Sequence, residues 1–406
     1  MGRASSKVSK VVVAGPLAPF AEGIKARLEE LGYTPLSAVT SMRLMVHVSR
    51  WLDAHGMTAA DLTSERVEQY LRERRAAGYA RSLSPRSLAV LLGLLGSMGV
   101  LVAEEPARCC SESEALLASF RDYLLGERAL ASSTALAYVL RARRFLAGRD
   151  PEVGLAGLTA ADVSGAVLGE ASAGSVGSTQ FFVVALRAFL RFCFIQGLVP
   201  ADLSAAALTM TGRRRPGLPK GISRAEAMAL LGSCDRRRSA GLRDYAVLVI
   251  LLRLGLRAGE VAALTLDDLE WRAGELVVHG KGHRVDRLPL PADVGEAITA
   301  YLRRGRPRTT RREVFLRTVA PIAPLTRRGV SLIVRSACLR AGVAPVGAHR
   351  LRHTLACDMV RAGVPLPEIS QVLRHRSLVS TAIYARADVD QLRMLAQPWP
   401  SAGVGR

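Results

Sequence analysis

Apolar residues recur at helical spacing along most of the chain, and Gly, Pro or Ser/Thr signals separate the periodic segments. In Ser41–His55, for example, the apolar side chains fall on one helical face, and the pattern stops before Gly56. The predicted helices of the N-terminal half are Ala21–Leu31, Ser41–His55, Ser64–Ala77, one that starts at Ser84 and Pro85, Ser111–Gly126, Ser132–Gly148 and Ser178–Gly197. This half of the chain is therefore predicted to be helical.

The helical plan occurs twice. The string M-T-A-A-D-L in the first part is echoed by L-T-A-A-D-V in the second. We interpret residues 30–102 and 112–202 as two copies of one four- or five-helix module, the alternative being that small helical domains simply look alike. The predicted domains are an extra helical, SAM-like module at residues 1–105 and a second helical domain at residues 111–205.

A basic linker is predicted at residues 206–220, which are rich in Pro and Gly and lack hydrophobic periodicity. Its Arg213, Arg214 and Arg215 are candidates for contacts with a nucleic-acid backbone, because such runs can neutralise phosphates.

The C-terminal domain, residues 221–398, opens with a predicted capping box of Ser223 and Glu226. A nearly all-apolar helix at 241–254 follows, and then a β-hairpin with Lys281 between two glycines at its tip. The further predicted helices are 292–303, 325–341, 348–362, 367–374, with Pro367 at its first position, and 379–386. The predicted fold class is mainly α with a small β-hairpin or sheet, an α+β arrangement.

The net charge of the chain indicates which kind of partner it binds. The 406 residues carry a formal net charge of +21, which favours a polyanion such as nucleic acid over the alternatives of solvated surface charge or a membrane surface. No apolar run looks long enough to cross a bilayer and no signal peptide is evident, so we expect a soluble protein. The six cysteines lack metal-site spacing, which predicts a reducing cytoplasm, no structural metal and no disulfide framework.

The candidate chemistry lies in Gly347–Arg386. Its polar residues that stand out from an apolar helical background are His349, Arg352, His353, His375 and Tyr384. A guanidinium binds phosphate oxygens as a bidentate fork, and a phenol becomes a nucleophile once its proton is removed or its oxyanion is stabilised. A lone Tyr or His in such a helix is usually structural, so it is the combination that indicates phosphodiester chemistry.

Four more sequence strings, together with the one that contains His349 and Arg352, form an ordered series of motifs. The strings G-L-R-A-G-E-V, L-D-D-L-E-W, V-H-G-K-G-H-R, H-R-L-R-H-T and L-R-H-R-S-L-V-S-T-A-I-Y follow one another over roughly residues 219–390. In this order and spacing the chain resembles the tyrosine recombinase (phage integrase) family, which shares its fold and chemistry with type IB topoisomerases. Residues 111–205 look like the family's helical core-binding domain.

The resemblance implies roles for specific residues. Arg257 and Arg352 would clamp the scissile phosphate and stabilise the charge of the transition state. Tyr384 would attack phosphorus to give a 3′-phosphotyrosine and a free 5′-hydroxyl, with Lys281 as general acid on the leaving oxygen. Because the covalent bond stores the phosphodiester energy, neither a metal nor another cofactor such as ATP is expected.

Further residues have supporting roles in this interpretation. His349 would transfer protons, and His375 would donate a hydrogen bond to the phosphate. Glu260 would orient Arg257 or His353. Arg374 departs from the family's usual Gly at its position, so we expect either an altered backbone or an added phosphate contact there.

The expected function is site-specific recombination or integration of a mobile element by cutting and rejoining DNA. Its expected partner is double-stranded DNA with a specific recombination site, held by a homo-oligomer in a tetrameric synapse, alone or with sister recombinases, in the bacterial nucleoid and away from membranes. The alternatives are topoisomerase-like strand relaxation and a catalytically inactive DNA-binding regulator, and the full set of six catalytic-type residues argues against the second.

Overall fold

The computed structural model describes residues 11–101, 112–148, 154–209, 221–280 and 284–374. The chain divides into two compact units, Ala103–Arg215 and a second that joins Met1–Val102 to Pro216–Arg406. Helices dominate both units, and three short strands form a sheet. The predicted fold class, mainly helical with a small sheet, is confirmed.

The N-terminal helices build a hydrophobic cluster of their own around Leu28, Met45 and Leu95. These helices are α1 (Ala21–Glu30), α2 (Pro35–Ala54), α3 (Ser64–Ala76) and α4 (Pro85–Ser97), with 3-10 turns at Ala18–Phe20 and Ala59–Asp61.

Helix α2 begins six residues before its predicted start at Ser41. The Thr34 hydroxyl accepts a hydrogen bond from the Ser37 N–H (3.3 Å), and Pro35 takes the first helical position. These capping signals outweigh the weak periodicity of the first turn, where Leu36 is exposed.

The unit Ala103–Arg215 packs four helices around an aromatic core in which the Phe120 and Phe189 rings lie 5.2 Å apart. The helices are α5 (Glu112–Gly126), α6 (Ser132–Ala147), α7 (Ala160–Ala173) and α8 (Val176–Ile195), followed by a 3-10 turn at Leu203–Ala206.

Helix α8 corrects one expectation from the sequence. It is long and apolar enough to cross a membrane by length and composition, although no such run was expected. Half of the apolar window is buried within the structure, where Phe182, Leu186 and Phe189 join the core. We therefore interpret α8 as a core helix.

The two echoed T-A-A-D strings share local geometry. Thr58 and Asp61 form a capping box at a 3-10 turn, and Thr159 and Asp162 form one at the start of α7. The two strings therefore form the same capping box, one before a 3-10 turn and the other before an α-helix. The duplication of the module stays a prediction.

The C-terminal part holds the largest hydrophobic cluster. Its helices are α9 (Arg224–Gly232), α10 (Ser239–Arg253), α11 (Ala258–Ala263), α12 (Ala292–Arg304), α13 (Arg327–Arg340), α14 (Ala348–Arg361) and α15 (Leu366–Val372). The predicted helices here agree to within about two residues at each end. Pro367 is the second residue of α15 rather than the first, and the predicted helix 379–386 lies outside the described residues.

The sheet is antiparallel with the order β1 (Leu269–Glu270), β2 (Glu275–His279) and β3 (Val285–Pro289). Leu276 and Val278 point into the core, because alternate side chains of a strand face opposite sides. The Gly280 N–H donates to the Arg284 carbonyl (2.7 Å), which joins the two strands next to the predicted tip of the hairpin.

Two long-range contacts position α14. The Ile222 N–H donates a buried hydrogen bond to the Thr354 hydroxyl (2.9 Å), and a Cβ on Gly221 would lie 3.0 Å from the Thr354 Cα. At the other contact Gly255, with φ +58°, ends α10 so close to Leu355 that a Cβ would meet its side chain at 3.0 Å. Glycine meets both requirements at position 255, because it adopts a positive φ readily and has no Cβ to contact Leu355.

Candidate active site

Arg257 stands at the start of α11, directly after the turn that ends α10. Its backbone N–H donates to Glu260 Oε2 (2.8 Å) and its Nη1 to Glu260 Oε1 (2.6 Å). Glu260 is buried, whereas 42% of the Arg257 side chain is exposed. The carboxylate thus fixes this guanidinium at a surface where an anion can reach it.

Arg352, on α14, is almost entirely buried, with a relative exposure of 1%. Its Nη1 donates to the Gly255 carbonyl (2.6 Å), and its Nη2 donates to the Leu373 carbonyl. These bonds join the turn before Arg257 to the end of α15. The guanidinium therefore shapes the backbone around the site in addition to carrying charge into it.

His349 precedes Arg352 by three residues on the same helix, and His349 is exposed whereas Arg352 is buried. Partial desolvation of its ring by the surrounding protein lowers the pKa of His349, and the positive charges of Arg352, Arg257 and Arg327 lower it further. A neutral imidazole can accept a proton at neutral pH. Arg257 and Arg352 lie close together, because they donate to the carbonyls of the adjacent residues Arg374 and Leu373.

His353 packs edge-on against His349, with ring centroids 4.3 Å apart. Burial, followed by the charges of His349, Arg350 and Arg352, lowers the pKa of His353 to about 4. Both imidazoles are consequently kept neutral beside fixed positive charge.

The His353 shift predicts a pH dependence of stability. The folded-state pKa lies below the ordinary value of 6.5, so the unfolded chain binds this proton more readily as the pH falls from 6.5 towards 4. The free energy of unfolding should therefore decrease over this window, as measured by urea denaturation at pH 7, 5.5 and 4.5. His353→Gln should show a shallower decrease, and equal slopes for the two proteins would contradict the assignment.

Arg374 follows α15 and is placed differently from the predicted phosphate contact. Its side chain is only 4% exposed, and its Nη2 donates to Glu260 Oε2 at 2.8 Å. Its φ of +52° is left-handed, the conformation that suits the Gly expected at this position. Since the guanidinium is buried against a carboxylate, Arg374 is corrected from a surface DNA contact to an internal ion pair.

Comparison with known proteins places this arrangement in a family. Residues 220–391 match the model of the Phage integrase family. The y4rA protein of Sinorhizobium fredii (strain NGR234), named as an integrase/recombinase, is 39% identical over 396 residues, which cover 95% of each chain. The chain belongs to the phage integrase family of tyrosine recombinases.

Other relatives agree. The tyrosine recombinase XerD of Mycobacterium tuberculosis is 31% identical over 297 residues, covering 68% of this recombinase and 94% of XerD. Among solved structures, we compared XerH site-specific recombinase bound to a palindromic difH substrate after cleavage. It superposes with a TM-score of 0.55 and 18% sequence identity, over 82% of this chain and 94% of that one. This similarity supports the fold. These matches favour a DNA recombinase over a relaxing topoisomerase or an inactive regulator.

Several predicted site residues of the recombinase lie outside the described residues: Lys281, His375, Tyr384, Arg213, Arg214 and Arg215. The described neighbours of two of them are informative. Gly280, the residue before Lys281, donates to the Arg284 carbonyl across the hairpin, and Arg374 is the residue before His375. Arg374 Nε lies 4.0 Å from Asp286 Oδ2 on β3, so the segments that lead to Lys281 and His375 approach each other.

Asp286 is a residue of this site that the sequence did not single out. It pairs with Val278 across the hairpin, and its Oδ1 accepts from Arg284 Nε (2.9 Å) while Oδ2 faces Arg374. The alternation of β3 marks Asp286 as lying on the same side as Leu288, but nothing in the local sequence indicates its distant partner.

Proposed function

We propose that this recombinase performs site-specific recombination of a mobile DNA element through a covalent phosphotyrosine. The observation that carries the proposal is the placement of two guanidinium groups side by side: Arg257 donates to the Arg374 carbonyl and Arg352 to the adjacent Leu373 carbonyl. His349 lies three residues before Arg352 on the same helix. Such a site can bind a phosphodiester and remove a proton beside it.

The proposed reaction starts with Tyr384. Its phenolic proton passes to the neutral His349, and its oxygen forms a bond to phosphorus while the bond to the 5′-oxygen breaks. Lys281 supplies the proton that the leaving 5′-oxygen needs. Arg257 and Arg352 bind the non-bridging oxygens, whose negative charge grows in the transition state. A guanidinium has five N–H donors, so Arg352 can combine phosphate and carbonyl contacts.

His375 would add a hydrogen bond to the same phosphate. Rejoining reverses the sequence of bonds: a 5′-hydroxyl from a second strand attacks the phosphotyrosine, and Tyr384 leaves. His349 and Lys281 then exchange their roles as proton acceptor and donor. The number of high-energy bonds is unchanged, which is why the proposed mechanism does not consume ATP.

The parts of the chain would divide the work of binding DNA. Residues 111–205 would form the core-binding domain, and residues 221–398 would form the catalytic domain. Between them, residues 206–220 would be a linker whose Arg213, Arg214 and Arg215 follow the DNA backbone. Residues 1–105 would be an added module. A groove lined by Arg128, Arg187 and Arg191 within α5–α8 and the loops between them supports DNA binding by the core-binding domain. Glu260 would orient Arg257, a role that its two hydrogen bonds to that residue support.

The assembly would be a tetrameric synapse of this chain, alone or with sister recombinases, on two copies of a recombination site in the nucleoid.

A two-step experiment tests the function. DNA bound in cells is recovered and sequenced, and the enriched site is then placed twice on a plasmid and incubated with the purified protein. We expect new junctions between the two sites. A plasmid that is relaxed without new junctions would instead establish topoisomerase-like activity.

A further inference from the structure

A buried arginine occupies a position whose backbone suits glycine. Arg374 has a φ of +52°, which L side chains rarely adopt, and its guanidinium is nonetheless enclosed. Its Nε and Nη1 atoms are buried without a hydrogen-bond partner. A charged group held in this way is costly, so what it contacts indicates why the chain places it there.

Arg374 touches both sides of the site. Its Nη2 binds Glu260, the carboxylate that also fixes Arg257, and its own carbonyl accepts from Arg257 Nη2 at 3.5 Å. Its Nε faces Asp286 Oδ2 at 4.0 Å. Asp286 lies on the hairpin strand next to the tip that carries Lys281, and its other oxygen is held by Arg284.

The charges of this cluster leave a positive surplus. Glu260 alone would neutralise Arg257, but the carboxylate is shared with Arg374. The cluster of three guanidinium groups, including Arg284, and two carboxylates carries one uncompensated positive charge. Since Arg257 is the more exposed partner of Glu260, this surplus is available to a phosphate at its side.

We propose that Arg374 is a positioning residue that holds the hairpin bearing Lys281 against the Arg257–Glu260 pair. It acts through Asp286 on the hairpin side and through Glu260 on the arginine side, and this inference rests on the proposed function. Arg374 thereby sets the distance between the group that binds the phosphate and the group that protonates its leaving oxygen.

The test compares variants on two substrates under single-turnover conditions. One DNA has an ordinary scissile phosphodiester, and the other has sulfur in place of the 5′-bridging oxygen, which leaves without a proton. Arg374→Gly suits the left-handed backbone and should fold. Its cleavage of the ordinary substrate should fall on the order of 10–100-fold, because small displacements of a reacting group have effects of this size. The loss on the sulfur substrate should be at most a few-fold.

Two further variants sharpen the result. Asp286→Asn should show the same pattern, and combining it with Arg374→Gly should add little, since both break one connection. Arg243→Met is the matched control, because the Arg243 side chain is only 11% exposed and pairs with Asp244 (2.7 Å) elsewhere in the same unit. It should lower stability and leave the ratio of the two cleavage rates unchanged.

The outcomes separate this inference from the proposed function. Equal losses of Arg374→Gly on both substrates, or no loss at all, would overturn the positioning role. If Arg374→Gly failed to fold, the ratio of rates for Asp286→Asn would decide the question in the same way. Lys281→Ala, measured alongside, shows whether the sulfur substrate reports on Lys281. Absence of cleavage by the unaltered protein would refute the proposed function itself.

Discussion

Tyr384→Phe should abolish the covalent protein–DNA adduct while DNA binding survives. The substitution removes one oxygen, the proposed nucleophile, and leaves the phosphate-binding Arg257 and Arg352 in place. The measurement uses a nicked substrate that loses its 5′-hydroxyl fragment after cleavage, which traps the protein on the DNA. Denaturing gels and peptide mapping then locate the adduct, and binding is followed separately by mobility shift.

Tyr301→Phe is the matched control. Tyr301 is fully buried, and its hydroxyl accepts from the Leu316 N–H at 3.2 Å, so its role is in the core. This variant should be less stable by about 1 kcal/mol, the usual worth of one hydrogen bond, and should still form the adduct. An adduct that persisted in Tyr384→Phe, or mapped to another residue, would refute the nucleophile.

Lys281→Ala should slow cleavage of an ordinary phosphodiester by about 10²–10⁴-fold, the range of general acid catalysis. The 5′-oxygen is a poor leaving group unless it is protonated as its bond to phosphorus breaks. A 5′-bridging sulfur leaves as a thiolate, so the loss on that substrate should largely disappear. Single-turnover rates on the two substrates measure the effect.

The Lys281 prediction has a control in the same chain. Arg257→Ala removes a phosphate ligand rather than a proton donor, so its loss should be similar for oxygen and sulfur leaving groups. If Lys281→Ala lost activity equally on both substrates, Lys281 would contribute binding and not acid catalysis.

Much of the architecture was predictable because helical periodicity and capping are local. Ser223 and Glu226 form the predicted capping box, and the apolar segment that ends at Gly255 is a buried helix. His349 and Arg352 share the predicted helix α14. In each case the residues that decide the structure lie within a few positions of one another.

The contacts inside the site were not predictable in this way. Arg352 was expected to bind phosphate, and nothing in the local sequence indicated that its donors also meet the carbonyls of Gly255, 97 positions away, and Leu373. Arg374, which replaces the family's usual Gly, was expected to alter the backbone or to contact phosphate, yet its side chain binds Glu260, 114 positions earlier. A single sequence gives the charge of each residue but not which opposite charge the fold brings beside it.

The contact of Gly221 and Ile222 with Thr354 has a mechanical consequence. If this segment ended on an exposed loop, a force on it would mainly bend the loop. Instead, a buried hydrogen bond joins Ile222 to helix α14. The anchor point is the residue that follows His353. A displacement of Gly221 and Ile222 would therefore be passed directly to α14, the helix that carries His349 and Arg352.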